Sequence, residues 1–261
     1  MRKLLAIISL LFLFAVSACG GKEPRAQAEP EQRSTPKVER MAAPPNAYAA
    51  QIPPFRRAPL PERVVLPDDG VHAPLIKRVP TNHKVAFITI DDGNKRLPEA
   101  HELFRAPNTP ASAFLVSKIA AEDPAYFERL KDDGMPIEAH SVNHIKLRGL
   151  SYEAQKAEIC GSVDALEQMM GKRPTLFRPP YGEYDKTTLR AARDCGIKAV
   201  LYWTQSVTDG NVYYQTPEKK VLAGDIILLH FRDAIVGDIL ATLQAIYDSG
   251  LTPALLEDYL G

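Results

Sequence analysis

Two adjacent acids, Asp91 and Asp92, close the apolar run Val85-Ala86-Phe87-Ile88-Thr89-Ile90 and are followed by Gly93. Two carboxylates have no place inside a buried strand, because each would need pairing or neutralisation. They belong at the strand's C-terminal mouth, where α/β sheets and barrels bind ligands. Successive residues of an extended chain point opposite ways, so one acid is free to hold a metal while the other handles a proton. An ordinary polar turn is the plainer alternative.

Three further segments carry chemical groups. His140-Ser141-Val142-Asn143-His144 sets two imidazoles four residues apart, on one face if the segment is helical. With Asp92 they form a His2Asp set whose fourth position stays open, as in catalytic rather than structural zinc sites. In Arg178-Pro179-Pro180-Tyr181-Gly182, two prolines stiffen a loop in which the Tyr181 N–H is an oxyanion donor. Arg178 is a permanent cation that can hold a carboxylate ionised. His230 ends the run Ile226-Ile227-Leu228-Leu229 and is a candidate general acid. Taken singly, these are equally read as surface histidines, a rigid loop and a satisfied core histidine.

The elements that would position these groups alternate. Strand-like runs occur at 84–90, 112–117, 136–139, 175–177, 199–202, 225–229 and 253–255. Helical patterns lie between them, the strongest from Tyr152 to Met170 with Ser151 as cap and Gly171 as stop. Such alternation implies parallel strands with helices outside. About seven strands suit an α/β barrel with a missing or distorted stave better than an open sheet, and each chemical segment falls at a strand end.

The first eighteen residues, with Arg2 and Lys3 before the apolar stretch Leu4–Val16, have the layout of a signal peptide. Val-Ser-Ala before Cys19 resembles a bacterial lipobox, which implies a lipid on Cys19 and an extracytoplasmic protein tethered to the cell membrane. Residues 19–81 are proline-rich and read as a tether whose later part, Phe55 to Val79, packs on the domain as an arm. Residues 82–261 form the domain. Cys160 and Cys195 remain, as a disulfide or as two buried thiols. The formal net charge of zero leaves no electrostatic footprint for nucleic acid. A monomer is expected.

In order along the chain, these segments resemble the NodB-homology polysaccharide deacetylases, carbohydrate esterase family 4. Thr89–Gly93 resembles TFDDG, His140–His144 H[ST]xxH, Arg178–Gly182 RxPYG and Leu228–His230 LxH. The resemblance implies a distorted (β/α)7 barrel and metal-dependent removal of acetyl groups from N-acetylated sugar polymers. By residue, it implies Asp91 as base, Asp92, His140 and His144 as ligands of Zn2+, Co2+ or another divalent metal, and His230 as acid. Arg178 would orient Asp91, and the Tyr181 N–H would help hold the oxyanion.

The family's DxxDW motif is altered. Ser206 stands for its first Asp and Gly210 for its Trp, while Asp209 matches the second Asp, which in the family bonds the acid histidine. Trp203 or Tyr202 would have to supply the missing apolar wall. Ala139 and Asn94 also replace an asparagine and a proline common in the family. The expected substrate is peptidoglycan or another N-acetylglucosamine polymer. An O-deacetylase of acetylated xylan, or a slow glycan-binding lipoprotein, is the alternative.

Overall fold

The computed structural model describes residues 46–106 and 108–261. The signal peptide, Cys19 and the first part of the tether lie outside the described residues. Ten strands and seven α-helices follow one another: β1 (Leu75–Ile76), β2 (Val85–Asp92), α1 (Pro98–Phe104), β3 (Ala111–Leu115), α2 (Ser117–Ala120), α3 (Pro124–Asp132) and β4 (Ile137–Ala139). Then come α4 (Tyr152–Met170), β5 (Leu176–Phe177), α5 (Lys186–Asp194), β6 (Ala199–Leu201), β7 (Gln205–Thr208) and β8 (Asn211–Tyr214). Last are β9 (Ile226–His230), α6 (Ile235–Asp248), β10 (Thr252–Ala254) and α7 (Glu257–Leu260).

The strands form one sheet in the order β1-β6-β5-β4-β3-β2-β9-β7-β8, with β10 paired to the first half of β2. Every pairing is parallel except β7 with β8. Alternation along β2 divides the core. Val85 and Phe87 face inward with Phe114, Leu176, Leu201 and Ile226. Ala86, Ile88 and Ile90 face the helices. The sheet curls into a distorted barrel that no ladder closes. The segment after β1 instead meets the start of β9, where Arg78 Nε donates to Asp225 Oδ1 at 2.6 Å and Val79 N to Gly224 O at 2.8 Å.

All seven expected strands are present. Of the three not expected, β1 is a two-residue stave inside the proline-rich arm, too short to leave a periodic trace. The other two are the β7–β8 hairpin, whose Asp209-Gly210 turn has φ of 52° and 74°. Both residues in the left-handed region make the tight turn that Asp-Gly favours. The compact unit therefore starts well before Asn82. Val64 N bonds Tyr259 O, and Ala73 N bonds Leu189 O, at 2.9 and 3.0 Å.

Local signals explain the helices that carry the site. The Ser151 hydroxyl accepts the Ala154 N–H at the start of α4, and Gly171, at φ 70°, ends it. Asp185 and Thr188 form a reciprocal cap on α5. A disulfide between Cys160 of α4 and Cys195 at the end of α5 ties the two helices together, with Cα atoms 5.0 Å apart. In the barrel interior Glu257 accepts from Ser112 Oγ, and Glu138 accepts from the N–H groups of Thr175 and Leu176, each bond 2.7 Å. Burial, with the charge of Glu257, pushes Glu138 up to about 8, and burial pushes Glu257 up to about 7.

Candidate active site

Strand order fixes the order of groups across the mouth. Arg178 follows β5, His140 follows β4, Asp91 and Asp92 end β2, and His230 ends β9 on the other flank of the acids. In register, Asp91 lies opposite Phe114 on β3 and His230 on β9. Asp91 keeps the inward parity of Val85 and Phe87. Asp92 would face the helices, but its φ of 80° turns the chain at that point. Gly93 continues the turn at φ 103°, and a Cβ there would come within 2.9 Å of the Phe127 ring.

Asp91 is buried and receives Arg178 Nη1 at 2.6 Å. Arg178 is fully buried, stacks 4.5 Å from the Phe114 ring and donates through Nη2 to Tyr202 O at 3.3 Å. The pair is thus a buried ion pair whose cation has additional partners, the condition under which such a pair is tolerated.

Asp92, His140 and His144 converge, their ligand atoms all within 4.8 Å of one another. Asp92 Oδ1 lies 3.5 Å from His140 Nε2 and 3.3 Å from His144 Nε2. His140 Nδ1 donates to Arg178 O at 2.7 Å, which leaves the Nε2 lone pair for a metal. Asp92 Oδ1 is buried with no hydrogen-bond partner. A buried carboxylate oxygen without a donor, facing two imidazoles, fits a cation. Burial works to raise the Asp92 carboxyl, but the imidazole of His140 beside it, with the charges of His230 and His144, outweighs it and holds the group low. Burial works to lower His140, and Asp91, Asp92 and the Arg178 carbonyl outweigh it.

The histidines do not meet through a helix. Residues 140–147 form a loop in which Ser141 and His144 have φ of 69° and 55°. Glu158 of α4 sets its shape, accepting from the N–H groups of Val142 and Asn143 at 3.1 and 2.9 Å and from Asn143 Nδ2 at 2.7 Å. His144 N donates to Ser141 Oγ at 3.0 Å. Sequence reading missed Glu158. Its signal was an acid on the face of α4 that also buries Ile159 and Val163.

The remaining expected residues divide. Tyr181 sits in a 3-10 turn at φ 60°, its N–H without a backbone acceptor among the described residues and its ring 4.6 Å from that of His144. Trp203 lines the cleft and stacks on Tyr202 at 4.1 Å. Asp209 does not join the site. It lies exposed in the β7–β8 turn, and the expected bond to the acid histidine is not made. The His230 Nδ1 is buried without a partner, and burial holds the imidazole below its usual value. The reason is the hairpin, which takes up Asp209 and Gly210 as turn residues. Their backbone is anchored instead by Asp238 of α6, whose Oδ1 accepts the Gly210 N–H at 2.8 Å.

These groups line a cleft of about 550 Å3. It holds a divalent-cation set, a buried carboxylate next to it and an imidazole on its far flank, a combination able to hydrolyse an acyl bond. The family model described as polysaccharide deacetylase matches residues 78–200. An uncharacterized protein of Streptomyces coelicolor is 38% identical over 194 residues, covering 72% of this chain and 77% of that one. The chain belongs to the polysaccharide deacetylase family. Another relative, a peptidoglycan-N-acetylglucosamine deacetylase of Bacillus cereus, is 29% identical over 160 residues, 58% of this chain and 75% of that protein. Among solved structures, a CE4-family pseudoenzyme from Bacillus anthracis superposes with a TM-score of 0.63 at 21% identity, over 72% of this chain and 69% of that one. The family 4 carbohydrate esterase of Streptomyces lividans in complex with acetate gives 0.58 at 23%, over 67% and 94%. At those identities the likeness shows the shared α/β fold.

Proposed function

We propose that this deacetylase is a metal-dependent, extracytoplasmic hydrolase that removes N-acetyl groups from a polysaccharide such as peptidoglycan, held at the cell membrane by lipid on Cys19. The observation that carries the reading is the joint presence of the Asp92–His140–His144 set and both proton-handling groups, Asp91 and His230, at one mouth. A glycan-binding protein has no need of the latter two.

Asp92, His140 and His144 would hold the ion, which supplies Lewis-acid polarisation of the acetyl carbonyl and acidifies water beside it. Asp91, held in place by Arg178, takes the proton of the attacking water. The tetrahedral oxyanion receives the Tyr181 N–H, which the left-handed turn leaves free of backbone acceptors. His230 then protonates the departing amine. Zinc and cobalt both suit two imidazoles and a carboxylate.

The test is acetate release from N-acetylglucosamine oligomers and from acetylated xylan, each with and without chelator. Release from the oligomers that stops on chelation and returns with Zn2+ is expected. Release from xylan alone would replace the reading with an O-deacetylase. Binding of glycan with no release from either would reduce it to a binding protein.

A further inference from the structure

The cleft has two unlike flanks. After β5 and β6 it is lined by Pro179, Tyr181 and Trp203. On the other side it is lined by Ser206 and Thr208 of β7, Gln215 just after β8, Leu228 of β9 and Arg232 just after it. Gly210, where the resemblance places an aromatic wall, is a turn residue, so apart from Leu228 this second flank is polar. Arg232 is half-buried, two residues beyond His230, and no carboxylate lies within ion-pair distance of it among the described residues. Its neighbour Asp233 is taken by Lys95 at 3.1 Å. The nearby acid Asp238 is buried and spends Oδ1 on the Gly210 N–H; it feels the Arg232 charge but makes no ion-pair contact with it.

A guanidinium fork on the wall of a substrate cleft with no carboxylate paired to it is suited to an anion brought by the ligand. We propose that Arg232 recognises a carboxylate on the glycan next to the acetamido group being hydrolysed, making the preferred substrate an acidic glycan rather than a neutral N-acetylglucosamine polymer. Gln215, on the same flank, supplies a neutral hydrogen-bonding partner. This inference rests on the deacetylase reading above. The carboxylate has two chemical sources, an acid substituent on the sugar ring and an attached peptide.

The experiment compares three substrates: a neutral N-acetylglucosamine oligomer, a peptide-free glycan fragment whose sugars carry an ether-linked carboxylate, and the same fragment bearing its peptide. Acetate release gives kcat/KM for the Zn2+-loaded wild-type chain, Arg232→Gln and Arg232→Lys, all with thermal melts to confirm folding. The wild type prefers an acidic substrate by about tenfold or more, the value of a charged hydrogen-bonded contact. Arg232→Gln collapses that ratio, chiefly through KM, and Arg232→Lys restores part of it. Amidating the substrate carboxylate removes the same factor from the wild type and nothing further from Arg232→Gln. If only the peptide-bearing fragment is preferred, the recognised group is on the peptide. An acidic-to-neutral ratio unchanged by Arg232→Gln overturns the proposal. Calorimetric binding of the three glycans to both chains gives the same comparison without turnover, so absence of acetate release would count against the deacetylase reading and leave the role of Arg232 decided by affinity.

Discussion

Replacing Arg178 by methionine isolates the interaction that holds the base. Arg178 is fully buried, Asp91 is 2% exposed, and their contact is a charge-assisted bond of 2.6 Å. Methionine fills similar space and keeps apolar contact with Phe114, but leaves the Asp91 carboxylate buried without its cation. Breaking a buried pair from one side costs about 3–5 kcal/mol. Set against a total of roughly 5–15 kcal/mol for an ordinary domain, that is a large fraction. Denaturant titration in the presence of chelator, so that no bound cation compensates Asp91, reads it directly. Asp91→Asn shows a comparable loss from the opposite side. The double variant Asp91→Asn/Arg178→Met recovers much of it, because two neutral groups leave no stranded charge. The coupling in this cycle is at least about 2 kcal/mol. A loss below about 1 kcal/mol for Arg178→Met, or additivity in the cycle, would refute the assignment of Arg178 as the buried counter-ion of Asp91.

Three other perturbations follow from the geometry. Glu158→Ala removes three hydrogen bonds from the loop between the metal histidines and should weaken metal affinity by about 10–100-fold, measured by competition with an indicator chelator; unchanged affinity would mean the loop holds its shape alone. Replacing both Cys160 and Cys195 by alanine opens a loop closed across 35 residues and should cost about 3–4 kcal/mol in denaturant titration, an effect that reductant reproduces in the wild type. Glu138 and Glu257 are raised to about 8 and about 7, above an ordinary carboxyl, so the folded state binds more protons than the unfolded one between roughly pH 4.5 and 8. Their contribution is full at the acid end of that window and is lost as pH rises through it; Glu138→Gln should flatten the decline in melting temperature, and an equally steep decline would rule these groups out.

The strand ends were legible because chemistry and hydrophobic pattern coincide there. Asp91 and Asp92 terminate an apolar run, as does His230, and the sheet could place them only at the mouth. The His140–His144 spacing was legible, but its cause was not. A helix and a loop with two left-handed residues both bring positions four apart together, and only Glu158, distant in sequence, decides between them. Asp209 misled for a related reason. Its spacing from Ser206 suits a motif, while Asp-Gly is also a hairpin turn, and the tight antiparallel pairing of β7 with β8 prevailed. Arg232 carries no pattern at all, since a lone arginine two residues past a strand gains meaning only from the cleft it lines.

The two-residue strand β1 has a practical consequence. Leu75 and Ile76 cover the rim of the sheet by pairing with Val200 and Leu201, yet they precede both the family match at residue 78 and the first catalytic motif. A fragment trimmed to those motifs would keep every reactive group and still expose a bare apolar rim, ready to accept a strand from another molecule. Recombinant chains begun before the arm should stay dispersed, and chains begun at Asn82 should clump.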